Sequence, residues 1–347
     1  MMMPVSAPKL FGVQNLLSQA QSDTLIFRDL KWIDRSPTMV VEPLIDGTSS
    51  GELERISITP NAFIGVDFSS AALASRGISD QRFCAGYAKA SEEHTGFYTV
   101  ACPHSATITQ GKQCPQCLAL DEFSAMHGIH RGARLTSAAE DYAELEHWLY
   151  IATFPDGTSK VGTASAHSKP RRLDEQAVAC ATYVAHANDG RQVRIWEDLV
   201  TREAGLVQAK QVRAKYKAWT SPLPASEIKE AHEKAVALAT WSLQEAALFE
   251  DYIEEDQIIA EKWQPSPAMK SAYSSIAEGN DGSLHTFEPL LNSPRGFYIN
   301  GATGKFLVAH FGNSEAVFLV NLAEVANRAF IVTDTVTEEP TTQGSLF

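Results

Sequence analysis

Between Thr24 and Asp67 the chain carries three short apolar runs, TLIFRDL, TMVVEPLI and LERISITP, rich in β-branched residues. Their length and composition predict strands, and in the third Ile56 and Ile58 alternate with Arg55 and Ser57 as a half-buried strand would. SAAEDYAELEHWLYIATF opens with helical spacing and closes as an apolar strand. Pro155-Asp156-Gly157 then predicts a tight turn, so that this strand and the next form a hairpin. RLDEQAVACATYVAHA and RQVRIWEDLVTREAGLVQAKQVRAKYKAW repeat apolar residues at three- and four-residue steps and read as helices. Beyond Pro222 and Pro224 a long helix is expected from Ser226 to Lys262, with Val236, Ala239, Trp241, Leu243, Leu248 and Ile253 inward and its acidic end in solvent. After Pro265 and Pro267 strands return in HTFEPLL, GFYINGATGKFLVAHF, AVFLVNL and AFIVTDTV. NGATGKF lacks the phosphate-loop spacing and reads as a hairpin turn. Residues 1–23 read as a flexible arm and residues 334–347 as a disordered tail.

Composition narrows the class. The 347 residues are 44% hydrophobic, enough for a sizeable core. No run approaches the ~18 apolar residues of a membrane span. The start, MMMPVSAPKL, lacks a basic region followed by an apolar core, so no membrane partner and a cytoplasmic location are expected. The net charge is −13, yet Lys160 to Lys217 holds eleven basic and six acidic residues. That segment is +5 and the remainder −18, so a basic middle stands inside an acidic protein.

Four of the five cysteines, Cys84, Cys102, Cys114 and Cys117, fall within 34 residues and end in QCPQC. Zinc takes four thiolates tetrahedrally, and a C-x2-C knuckle supplies two of them. The alternatives are a redox C-x2-C pair or unrelated buried thiols; a redox pair prefers the start of a helix after a strand. His94 and His104 read as surface residues and Cys180 as a packing residue in a helix. With four protein ligands, the zinc would be structural.

The stretch HWLYIATFPDGTSKVGTASAHSKPRRLDEQ resembles the GIY-YIG nuclease module, in which two short strands and an arginine-bearing helix precede a helix with a metal-binding glutamate. The resemblance implies that Tyr150 orients water, Arg172 grips the scissile phosphate and Glu197, rather than Glu203, holds Mg²⁺ or Mn²⁺. Lys160, where the family's second tyrosine usually stands, would support the transition-state charge. Such a fit is chemically sound: carboxylates hold hard cations and the guanidinium fork matches phosphate oxygens. Lys169, Arg171, Arg191 and Arg194 are the candidate nucleic-acid contacts. The family's histidine or tyrosine one turn after the arginine falls near Gln176 here, and no asparagine follows Glu197 at the usual place. A module that departs in this way could bind DNA without cutting it.

The order of motifs also resembles an uncharacterised bacterial family, the domain-of-unknown-function family twenty-seven ninety-seven. It is carried by Arg82-x-Cys84-x-Gly86, Cys102-Pro103 with Gln113 to Cys117, Lys160 to Thr163 with Arg172 to Gln176, and Gly301, Gly304, Lys305 and Leu307. That likeness implies an α+β protein: a β-rich zinc-binding region (24–146), an inserted GIY-YIG-like module with a long helix (147–264), and strands (265–333) returning to the first region. The chain closes on Gln343-Gly344-Ser345-Leu346-Phe347, which resembles the sliding-clamp-binding pentapeptide, with Gly344 in place of the common leucine. Gln343, Ser345, Leu346 and Phe347 would dock into a preformed cleft of a bacterial sliding clamp. Three functions stay open: a metal-dependent DNA endonuclease in repair or replication, a non-catalytic nucleic-acid-binding adaptor, and a zinc-stabilised interaction scaffold.

Overall fold

In the computed structural model the described residues are 14–337, except 92, 94–95, 250–252, 278–283, 288 and 313–315. The elements used below are β1 (Thr24–Ile33), β2 (Ser36–Ile45), β3 (Phe63–Asp67), α1 (Pro115–Leu120), β4 (His147–Thr153), β5 (Ser159–Ser165), α2 (Lys169–Asp174), β6 (Cys180–Ala187), α3 (Gly190–Ala204), α4 (Val212–Thr220), α5 (Ala225–Phe249), β7 (Ile258–Lys262), β8 (Arg295–Thr303), β9 (Phe306–His310), β10 (Val317–Asn321) and β11 (Arg328–Val332).

The fold is mixed α+β. A large sheet runs β10-β9-β8-β3-β11-β1-β2 through its centre. Strands from the two ends of the chain alternate in it: β11 lies antiparallel between β1 and β3, and β8 pairs with β3. A second sheet, β5-β4-β6-β7, is built wholly from residues between these two sets. Its strands meet the large sheet through one face, where Tyr150, Ala152, Phe154 and Tyr183 share a core with Trp32, Phe297 and Phe330. The opposite face, carrying Leu149, Ile151, Val161 and Ala185, is covered by Val193, Trp196 and Val200 of α3 and by Ala239 and Leu243 of α5.

Local chemistry explains the elements. The Pro155-Asp156-Gly157 turn forms as its residues predict: Gly157 has φ 75°, the Thr158 N–H donates to Asp156 Oδ1, and β4 pairs with β5 in register from His147–Ser165 to Thr153–Ser159. The NGATGKF hairpin joins β8 to β9. The helix expected over RLDEQAVACATYVAHA is instead a short helix and a strand. It stops at Asp174, Ala177 turns the chain with φ 55°, and β6 starts at Cys180. Both faces of β6 are covered, so its near-continuous apolar run has no alternation to separate strand from helix. Cys180 is therefore a strand residue, half-buried, with its thiol pushed up to about 12 by burial.

The next helical stretch is two helices, because Gly205 ends α3 in the left-handed conformation with φ 68°. The long helix is described over Ala225–Phe249, and Ile258–Lys262, expected to finish it, form the edge strand β7 instead. Its inward face is Ala235, Ala239, Leu243 and Ala246, small side chains and leucine at four- and three-residue steps that let α5 approach the sheet closely. Trp241 and Leu248, expected inward, are exposed. The arm expected over residues 1–23 is anchored from Asn15 onward, whose amide donates to Gly65 O (2.9 Å) and Thr333 O (2.8 Å). Beyond β11, the Thr337 N–H donates to Gly296 O at 3.1 Å; the rest of the expected tail lies outside the described residues.

One glycine fixes the interior of the second sheet. Gly162 pairs with Tyr150, and a Cβ there would stand 2.6 Å from the Tyr150 ring. Gly162→Ala should therefore lower unfolding free energy by about 1–3 kcal/mol in urea denaturation, as overpacking of a filled core does. Unchanged stability would show that the ring has room to move.

Candidate functional site

Two arrangements of chemistry-bearing residues stand out. The first is the cysteine cluster. Cys84, Cys102, Cys114 and Cys117 are all buried, and their sulfur atoms lie within 4.8 Å of one another. Cys114 caps α1 and Cys117 follows in its first turn, while the Cys114 N–H donates to Cys84 Sγ at 3.1 Å. Gly86 lets the Cys84 loop close, since it has φ 75° and a Cβ would lie 1.9 Å from Val100 O. Arg28, buried beside Glu42, ties the cluster to the large sheet through Cys84 O (2.9 Å) and Asn327 Oδ1 (3.0 Å). The backbone N–H of Cys117 outweighs burial and draws Cys114 down to about 7, whereas burial raises Cys84 and Cys117. Four such thiols can hold one metal ion; a tetrahedral zinc–thiolate set needs sulfurs roughly 3.8 Å apart. His104 is exposed and outside the cluster, and His94 lies outside the described residues.

The second is a cleft of about 220 Å³ at the free edge of the second sheet. Strand β5 forms that edge and contributes Thr163 and Ser165. Helix α2 brings Arg171 and Arg172 to it from one face, and α3 brings Arg194 from the other. Phe97, Phe123 and Met126, from the region that carries the cysteines, close the third side. Glu175 is the carboxylate in the lining; it pairs with Arg171 and, at 3.5 Å, with Arg172. Three guanidinium groups thus share a cleft with one carboxylate. Their field is felt nearby: burial, then Arg194 and Arg172, hold the His127 imidazole below its ordinary range.

The residues singled out by sequence divide between three places. Arg171, Arg172 and Arg194 line the cleft. Tyr150 and Lys160 lie beside Arg172 on the α2 face of the sheet. Tyr150 is fully buried, its hydroxyl has no partner, and the Lys160 ammonium stands 5.5 Å from its ring. Glu197 is brought to the other face by α3, is 4% exposed, and is held by Arg194. The structure therefore gathers Tyr150, Lys160 and Arg172 and leaves Glu197 across the sheet, reaching the cleft only through Arg194. Glu203 pairs with Arg202 on the exposed end of α3. Lys169 spans the rings of Trp148 (4.5 Å) and Tyr183 (4.8 Å) and pairs with Glu261, and Arg191 pairs with Glu140. Gln343, Ser345, Leu346 and Phe347 lie outside the described residues.

Sequence reasoning missed Lys215. It comes from α4, is 9% exposed, and donates from Nζ to Gln176 Oε1 at 2.8 Å. It therefore reaches the position one turn after Arg172. Burial, aided by Lys160, Arg172, Lys305 and Lys210, brings its ammonium down to about 7. Among the described residues no helix is long and apolar enough to cross a membrane. No protein-family model matches the chain, and searches of curated proteins and of solved structures found no match.

Lys215 predicts a pH dependence. Below about pH 7 the lysine is charged in both states, and folding bears the full cost of burying that charge. Between about pH 7 and the ordinary lysine range, the unfolded chain binds more protons, so stability rises with pH by at most about 1.4 kcal/mol per unit. Lys215→Met should flatten the dependence of urea midpoint on pH between 7 and 9.5. An identical slope in the variant would remove Lys215 as its source.

Proposed function

We propose that this chain is a zinc-containing protein that binds DNA along its phosphate backbone in the cleft beside β5. The observation that carries this reading is the convergence of Arg171, Arg172 and Arg194 from two helices on one edge strand with Glu175 as the carboxylate among them. Guanidinium forks match phosphate oxygens, and a cation-rich cleft in an otherwise acidic protein localises where a polyanion docks. Zinc is the metal assigned to Cys84, Cys102, Cys114 and Cys117. It would fix the loops from which Phe97 and Phe123 wall the cleft, and with four protein ligands it leaves no position for substrate. The protein would work in the cytoplasm.

A second reading, a GIY-YIG-like endonuclease, is favoured by a separate observation. Strands β4 and β5, arginine-bearing α2 and glutamate-bearing α3 follow one another in the order the resemblance implies, with the unexpected strand β6 between the two helices and with Tyr150, Lys160 and Arg172 adjacent. Arg172 would hold the scissile phosphate and Tyr150 would position the attacking water. Glu197 would have to leave Arg194 to hold Mg²⁺ or Mn²⁺. Because that carboxylate is committed and Tyr150 is enclosed, the geometry supports binding better than cutting. The terminal peptide from Gln343 to Phe347 supports recruitment by a bacterial sliding clamp, with Leu346 and Phe347 filling an apolar subsite.

Arg172→Ala with Arg194→Ala should weaken binding of a short branched or nicked duplex about 10-fold or more at low salt. It should also reduce the slope of log affinity against log salt by about 2, one per lost phosphate contact. Fluorescence anisotropy reads both; wild-type affinity in the double variant would sink the cleft assignment. Incubation of labelled DNA with Mn²⁺ decides the second reading: cleavage abolished by Glu197→Gln establishes a nuclease, and intact DNA under saturating protein leaves binding as the function. For the tail, Phe347→Ala should weaken binding to a purified bacterial clamp about 10-fold from a micromolar starting point. Equal affinity of wild type and variant would remove the clamp from the account.

A further inference from the structure

Lys160 and Lys215 present a charge problem that the fold itself does not solve. Both are almost enclosed, at 5% and 9% exposure. Among the described residues neither meets a carboxylate: Lys215 donates to the neutral amide of Gln176, and Lys160 lies over the Tyr150 ring. The other cations around them are already matched, Lys210 by Asp156, Lys305 by Asp29 and Arg172 by Glu175. At the same place the Tyr150 hydroxyl is buried with no hydrogen-bond partner. Burying a cation without a counter-charge is costly, and burying a hydroxyl without a partner is costly too. A single bound group carrying negative charge and acceptor oxygens would relieve all three residues.

We propose that Lys215, reaching over from α4, completes with Lys160 and Tyr150 an anion subsite beside Arg172 that takes a phosphate group. This rests on the phosphate-binding reading of the neighbouring cleft and adds to it a residue from beyond the strands and helices of the resemblance. The two lysines supply charge without the planar fork of arginine, and the tyrosine supplies one directed donor, a set suited to the oxygens of a phosphomonoester or a phosphodiester. Lys215 takes up the position beside Gln176 where the resemblance has a histidine or tyrosine. Its ammonium, lowered to about 7 by burial and by Lys160, Arg172, Lys305 and Lys210, is a group that a bound anion would recharge.

The test uses the full chain with its metal. Lysine Nζ resonances are followed by NMR against pH, first without ligand, then with inorganic phosphate, then with a short DNA duplex. The expected result is an upward shift of at least one pH unit in the Lys215 midpoint with either ligand, and a tenfold loss of phosphate affinity in Lys215→Met and Lys160→Met. Lys210→Met, whose ammonium already has Asp156, should keep wild-type affinity. A shift with phosphate alone assigns the subsite to free phosphate esters; a shift with DNA assigns it to the backbone. A Lys215 midpoint that neither ligand moves overturns the proposal, and this measurement on the unmutated protein does not depend on the variants folding. The cleft stands or falls separately: if Arg172→Ala with Arg194→Ala abolishes DNA binding while Lys215 stays silent, the subsite fails and the cleft survives.

Discussion

Asp174 has no exposed side-chain surface, and its carboxylate is met by two nitrogens of Arg35, at 2.7 and 3.0 Å. Burial still outweighs Arg35 and raises the carboxyl above its ordinary value, so the pair is a constraint more than a source of stability. What it constrains is α2. The backbone carbonyl of the same residue accepts from Gly304 N at 3.0 Å, and the Trp32 indole donates to Gly304 O at 2.9 Å. A helix of six residues is thereby pinned between the hairpin of β8 and β9 and the strand β1. Arg171 and Arg172 project from that helix, so the cleft inherits its position from an ion pair outside it. Losing Arg35 would leave the enclosed Asp174 carboxylate without its counter-charge, whereas Arg35, partly exposed, tolerates the loss of Asp174 better.

From this anchor the chemistry distributes itself around β5. The edge strand is the place where residues from both faces of a sheet can meet, because among the described residues no further long strand covers it; Val207 makes a single bridge at Lys160. Helix α2 and Lys215 approach from the face turned to the large sheet, and Arg194 with Glu197 from the face covered by α3. The cysteine region adds the third wall and is itself tied to β1 by Arg28. The site is thus composite: the large sheet positions α2, the cysteine-bearing region supplies the aromatic wall, and the second sheet supplies the edge.

Much of this was legible in the sequence because it is local. The Pro155-Asp156-Gly157 turn, the NGATGKF hairpin and the spacing of Cys84, Cys102, Cys114 and Cys117 each depend on residues close along the chain. The strand β6 was not legible, since coverage on both faces erases the alternation that would mark it. Trp241 and Leu248 misled because their helix buries alanines instead. Lys215 was invisible for a different reason: it meets Gln176 from 39 positions away, through a packing of α4 that no spacing rule encodes. Conversely, Glu197 fits its sequence context but is placed across the sheet from Tyr150 by the packing of Val193, Trp196 and Val200.

The proposed function requires nucleic-acid phosphate to dock at the edge of β5, between α2 and α3. Hydrogen–deuterium exchange of the full chain in zinc-containing buffer, with and without a short DNA duplex, is the decisive measurement. Docking there slows exchange across residues 163–176 and 190–197 and leaves the far strands β9 and β10 unchanged. Protection confined to another surface, or none at saturating DNA, would contradict it.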